Sequence, residues 1–199
     1  MPDYFTLFGE ARRPWLDPDR LKQKFLSLST TLHPDKAPDE ATRTAAAQRF
    51  AELNSAYRCL AEPKSRLLHL LELERGARPA EIQQIPADLA GLFADVATTC
   101  RQADQFLVEK GKITSPLRQV QLFEQAHEWI DRLNVLREKL TALHQKLSQQ
   151  LKSIDAEWPT ADAAARSGQL AAIEELYRLF GYLSRWSAQI QDRIVRLTL

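Results

Sequence analysis

The chain has 199 residues, with 27 Lys plus Arg against 26 Asp plus Glu and a formal net charge of +1. Its 44% apolar and 27% charged residues fit an ordinary globular protein and exclude intrinsic disorder, collagen-like repeats and low-complexity arrays. Balanced charge provides no global field to draw the chain onto nucleic acid or an anionic membrane, so any electrostatic recognition has to be local.

Gly is scarce at six residues, β-branched runs are absent, and Leu, Ala, Gln, Glu, Lys and Arg dominate, which predicts an all-α protein. The first helical segment is Asp3 to Phe8, capped by Asp3 and ended by Gly9. Asp17-Pro18 then reads as an N-cap followed by a first-turn proline. Leu21, Phe25, Leu28 and Leu32 recur behind it at helical spacing, and Pro34 has to end that helix. From Ala41 to Ala61, one face carries Ala46, Phe50, Leu53, Tyr57 and Leu60, with Pro63 closing the segment. A fourth apolar segment runs from Lys64 to Arg75 and stops at Gly76, a residue suited to the left-handed turn after a helix. Residues 1–76 thus read as one small domain. The stretch from Gly76 to Pro86, with Pro79 inside it, holds the boundary, placed near Arg78, so that the domains are 1–78 and 79–199.

Beyond the boundary, Leu89, Leu92, Phe93, Val96, Ala103, Phe106 and Leu107 form a stripe that Gly111 ends. Ser115-Pro116 opens a long stretch with Val120, Phe123, Ile130, Leu133, Leu136, Leu140, Leu143, Leu147, Leu151, Ile154 and Trp158 mostly three or four apart. Pro159 and Gly168 bracket a break. Leu170, Ile173, Leu176, Tyr177, Phe180, Leu183, Ile190, Ile194 and Leu197 then make a last helix, and three antiparallel helices are the simplest packing.

His33-Pro34-Asp35-Lys36 lies between two helices, where a loop presents side chains. Pro34 fixes its own φ and biases His33 away from helix, so the loop is shaped before a partner arrives and loses less entropy on binding. Alone, the triplet reads better as an ordinary helix stop. Its surroundings decide otherwise. Asp3-Tyr4-Phe5-Thr6-Leu7-Phe8-Gly9 precede it, while Phe50, Leu53-Asn54, Ala56-Tyr57, Leu60, Pro63 and Arg66 follow at the spacing of a J domain. The chain resembles the J-domain co-chaperones. Tyr4-Phe5, Leu7-Phe8-Gly9, Asp17 and the Arg66 to Gly76 ending around Leu70-Leu71 resemble the HscB, or Jac, branch.

That resemblance implies a J domain that docks on a DnaK- or HscA-type chaperone and stimulates its ATP hydrolysis. It also implies a C-terminal three-helix bundle that binds an IscU-like iron–sulfur scaffold. Carried over by position, His33, Pro34 and Asp35 form the essential loop, Asp35 pairs with an arginine of the chaperone, and Lys36 supports it. Arg20, Lys22 and Lys24 supply the basic face of the preceding helix, whereas Leu26, Ser27 and Thr31 stand where many J domains carry Lys or Arg. The client surface falls on Leu89, Leu92 and Phe93, joined by Leu179 or Phe180. The branch tends to place a Leu-Met-Glu type sequence there, but this chain has Ala90 and Gly91 at the Met and Glu positions. A bundle that self-associates or binds an unrelated client is therefore the alternative, and a monomer or a dimer is compatible with the pattern.

Cys59 and Cys100 are too few for a disulfide framework or thiolate metal site, and Cys59 reads as an inert buried thiol. No further His or Cys stands at ligand spacing from His33, and His127 and His144 read as surface or partly packed residues. No metal or other cofactor is expected. Runs such as Leu67-Leu68 fall far short of the roughly 20 apolar residues of a spanning helix. So few cysteines fit a reducing compartment, which makes the cytoplasm the expected location, and the N-terminus lacks the basic start and apolar block of a secretory signal. With no Gly-rich phosphate loop, nucleophile elbow or paired carboxylates, the chain reads as a non-enzyme.

Overall fold

The computed structural model describes residues 2–33, 35, 39–80, 85–113 and 115–199. Its regular structure is helical throughout. The helices are α1 (Tyr4–Leu7), α2 (Pro18–Leu32), α3 (Glu40–Ala61), α4 (Pro63–Arg75), α5 (Ala90–Lys110), α6 (Pro116–Glu157) and α7 (Ala163–Thr198), with single 3-10 turns at Ala87–Leu89 and Trp158–Thr160.

The helix starts follow from local side-chain chemistry. Asp3 accepts from the Phe5 and Thr6 amides at 3.0 and 3.2 Å, and Asp17 accepts from Arg20 at 2.9 Å with Pro18 behind it. Asp39 and Thr42 cap α3 reciprocally. Pro63, expected only to close α3, also opens α4, where the Glu62 carboxylate accepts from the Lys64 and Ser65 amides. Gly76 ends α4 at φ +72°, a left-handed conformation that costs glycine nothing.

The chain divides into two compact units. The first comprises Met1–Ala80 together with Ser148–Phe180. Residues 148–180 join the N-terminal residues across a long stretch of sequence. They belong to this unit for a physical reason. The Asp155 carboxylate is buried and receives Arg13 Nε at 2.9 Å, a second Arg13 guanidinium nitrogen, and the Trp15 amide at 3.2 Å. The buried Trp158 ring donates its indole N–H to the Arg12 carbonyl at 2.8 Å. Lys152 lies over the Trp15 ring at 4.8 Å, and Arg75 pairs with Glu174. The segment between α1 and α2 is thereby clipped to the end of α6 and the turn after it.

Within the same unit, Phe5, Phe8, Leu53, Leu60, Leu67, Leu70 and Leu71 are fully buried, and Phe25 stacks on Tyr57 at 4.2 Å between α2 and α3. Arg66 is buried on α4, where its guanidinium donates to the carbonyls of Pro14, at 3.0 Å, and Leu60. Desolvation pulls its pKa down to about 10, so it stays charged and crosslinks the two carbonyls. Burial pushes the Cys59 thiol up to about 11, which leaves it protonated and unreactive at neutral pH.

His69 is also buried on α4. Its Nε2 accepts the Tyr4 amide at 3.1 Å, and its ring stacks on Phe5 at 5.7 Å. Protonation would convert that acceptor into a donor and break the bond holding α1. Burial lowers the pKa from the ordinary 6.5, against the raising influence of Asp3 and Glu72 and with that of Arg12. Between the lowered value and 6.5 the unfolded chain binds more protons than the folded one. This contribution is therefore complete above 6.5 and is lost as the pH falls below it. Urea midpoints measured from pH 7.5 downward are expected to fall less steeply for His69→Gln than for wild type; parallel curves would contradict the assignment.

The second unit comprises Glu81–Leu147 and Gly181–Leu199. Phe93 meets Trp186, Asp104 meets Arg193 at 2.7 Å, and Lys110 reaches the Leu197 carbonyl at 3.5 Å. Pairings that advance together along both helices make α5 and this part of α7 parallel, as the first and third helices of an antiparallel bundle must be. One register expectation fails. Val120 and Phe123, placed on the core stripe from their spacing, are 63% and 64% exposed, and Leu122 and Ala126 are buried instead. The buried row Leu133, Leu136, Leu140 continues backward in steps of three and four to Ala126 and Leu122, and Val120 and Phe123 lie off it. Phe123 instead packs on His127, whose ring bonds the Phe123 carbonyl at 3.1 Å.

Candidate functional site

The loop after α2 begins where the helix runs out. Leu32 is the last helical residue, and His33 takes φ −62° and ψ 128°, the extended geometry that the δ-carbon of a following proline imposes. Asp35 donates its amide to His33 Nδ1 at 3.3 Å, and its carboxylate lies 3.4 Å from the same nitrogen. Across the helical pair, the His33 ring meets Phe50 of α3 edge-on at 5.5 Å. The Asp35 side chain is 87% exposed and the His33 side chain 47%. The two residues are held next to each other by the bond between them and by the Phe50 ring, which leaves the exposed Asp35 carboxylate available to a partner's guanidinium. Pro34 and Lys36 lie outside the described residues.

The three basic residues of α2 do not act alike. Lys24 donates to Glu10 at 2.6 Å and to the Gly9 carbonyl at 3.0 Å, so it anchors the turn after α1 rather than facing a partner. Arg20 is exposed and reaches Glu10 at 3.8 Å. Lys22 is exposed and makes no ion pair among the described residues. Spacing places Lys22, Leu26 and Thr30 on the line that His33 continues, so only Lys22 of the three lies in register with the loop.

The expected client residues separate by burial. Leu89 and Phe180 are buried, which corrects their assignment to an exposed patch; each completes an apolar stripe on its own helix. Leu92 and Leu179 are half-buried, and Phe93 is 41% exposed. In the second unit Phe93 leans on Trp186 at 6.0 Å, Trp186 stacks on Tyr182 at 5.7 Å, and Arg185 covers the Tyr182 ring at 4.8 Å. Sequence reasoning missed Tyr182 and Trp186, although the step from Leu183 through Trp186 to Ile190 carries the helical period that flags the latter. Leu179 and Phe180 belong to the first unit. Among the described residues no cluster of His, Cys, Asp and Glu is arranged to hold a metal, and no helix is long and apolar enough to cross a membrane.

Comparison with known proteins agrees with this geometry. The DnaJ domain family matches residues 13–69. A curated relative, the co-chaperone protein HscB homolog of Azoarcus sp. (strain BH72), is 26% identical over 98% of this chain and 95% of its own. Among solved structures, chaperone HscB from Vibrio cholerae superposes with a TM-score of 0.56 at 20% identity, covering 96% of both chains. Human co-chaperone protein HscB gives 0.58 at 16% identity, over 96% of this chain and 81% of that one. The two structures show a shared all-α fold.

Proposed function

We propose that the chain is an HscB-type J-domain co-chaperone, which stimulates ATP hydrolysis by a DnaK-type chaperone and delivers to it an IscU-like iron–sulfur scaffold protein. The observation that carries this reading is the presented His33–Asp35 pair inside the DnaJ match. In this reading residues 1–78 act as the J domain and residues 79–199 as the client-binding helical region, in the cytoplasm. The chemistry belongs to the partner. Asp35 engages a chaperone arginine, Lys22 adds local attraction, and the scaffold is held on the other part of the same molecule. One chain bound to both raises their effective concentration without a new contact between them. Phe93, the exposed member of the aromatic group on Trp186, is the client residue this reading favours.

Single-turnover ATP hydrolysis by a DnaK-type chaperone tests it. The full chain is expected to accelerate hydrolysis, and an IscU-like scaffold is expected to add to that acceleration. No acceleration at any concentration would overturn the reading. A second reading rests on Ala90 and Gly91, which leave the exposed start of α5 without the larger side chains of the family pattern. There the bundle binds another client or a second copy of itself, and light scattering that shows a stable dimer indifferent to scaffold would favour it.

A further inference from the structure

The half of α2 next to the His33–Asp35 loop is exposed yet carries no charge. No Asp, Glu, Lys or Arg occurs from Phe25 through His33, in a chain of which 27% is charged. Phe25 and Leu28 face inward. Leu26, at 54% exposure, Ser27, Thr30 and Thr31 face solvent. The Thr30 hydroxyl donates to the Leu26 carbonyl at 2.9 Å and the Thr31 hydroxyl to the Ser27 carbonyl at 3.2 Å, so neither proton is offered to a partner. A lone exposed leucine is ordinary. This one sits two turns from His33 on the same line of the helix, with nothing charged between, so whatever docks on the loop and lies along α2 meets Thr30 and then Leu26, the first apolar side chain on that line.

We propose that the loop-proximal half of α2 docks on an apolar strip of the DnaK-type chaperone, with Leu26 as the residue that selects which chaperone is accepted; this rests on the function proposed above. Desolvating an aliphatic side chain against a matching surface gives contact energy that salt does not screen, whereas a row of lysines facing carboxylates would give a steep salt dependence. Lys22 remains as the one in-register charge, and it steers rather than holds. A chaperone with carboxylates opposite Leu26 would leave them desolvated and unpaired, which is how an uncharged strip rejects the wrong partner.

The test is single-turnover ATP hydrolysis by a DnaK-type chaperone, titrated with the full-length protein from about 50 to about 300 mM KCl, a range over which screening of exposed charges is strong. The wild-type half-maximal concentration is expected to rise no more than about threefold across it, as befits an interface whose charged contacts are few, Asp35 and Lys22. Leu26→Ala should raise that concentration about fivefold or more at every salt, with the plateau rate unchanged, because the residue contacts the chaperone and not the reacting nucleotide. Leu26→Lys should not restore it. Both substitutions are at an exposed site in good helix-forming company, so thermal midpoints should match wild type. Equal titrations for Leu26→Ala and wild type, or tighter binding by Leu26→Lys with a steep salt response, would overturn the proposal while His33-dependent stimulation kept the function itself. Failure of the wild type to stimulate would overturn both.

Discussion

A full-length His33→Gln protein is expected to keep the wild-type unfolding midpoint to within about 0.5 kcal/mol, as exposed substitutions do, and to lose more than about nine tenths of its stimulation of chaperone ATP hydrolysis. The fold survives because His33 is half-exposed and contributes only the edge contact with Phe50. The function fails for a geometric reason. Imidazole places Nδ1 two bonds from Cβ on a rigid ring, where it accepts the Asp35 amide. Glutamine puts its acceptor one bond farther out, adds a rotatable bond and has no ring edge for Phe50. Asp35 then loses the residue that holds it, and ordering the loop becomes a cost of binding. Asp35→Asn makes the companion measurement: nearly isosteric and at a highly exposed side chain, it removes only the charge. It should lose stimulation to a similar degree with its fold unchanged. Normal stimulation by either folded variant would refute the role assigned to the loop.

The second large effect is on stability. Arg13→Ala should cost about 3 kcal/mol in urea unfolding followed by tryptophan fluorescence, since Trp15 and Trp158 both lie at the affected contact. The Asp155 carboxylate is buried, and Arg13 supplies two of its three donors. Without them a charge stays out of water with only the Trp15 amide. The Arg13 side chain is itself 40% exposed, so water entering in its place limits the loss to well below that of a deeply buried pair. Asp155→Ala should cost less, because the freed guanidinium can turn to solvent while only the Trp15 amide loses its acceptor. The double variant measures the coupling between the two residues. An Arg13→Ala midpoint within about 0.5 kcal/mol of wild type would show that the clip contributes little.

What could be read from the chain was what local chemistry decides. Asp3 and Asp17 cap helices through amides two or three residues away, Pro34 biases His33 away from helix, and Gly76 takes a positive φ that other residues avoid. The extended turn of His33 directly after α2 was legible for the same reason, since it follows a periodic segment and precedes a proline in sequence. The residues read correctly for the first-domain core, such as Leu53 and Leu60, recur at the helical period and have only one inward face to occupy.

Tertiary structure alone decided the rest, because periodicity names a face but not what covers it. Val120 and Phe123 share a plausible spacing with the core row yet fall outside its register, which is set by packing from Leu133 to Leu140. Lys24 looks like its neighbours Arg20 and Lys22 until Glu10, fourteen residues away, takes it for the turn after α1. Leu89 and Phe180 are apolar residues on apolar stripes, and only the folded chain shows that they are covered while Phe93 is not. The contact between Arg13 and Asp155 spans 142 positions. No local pattern announces it, since an arginine and an aspartate in separate helical proteins are each at home on the surface. Their pairing, and the membership of residues 148–180 in the first unit, follow from burial that exists only once the end of the long helix and the segment between α1 and α2 are brought together.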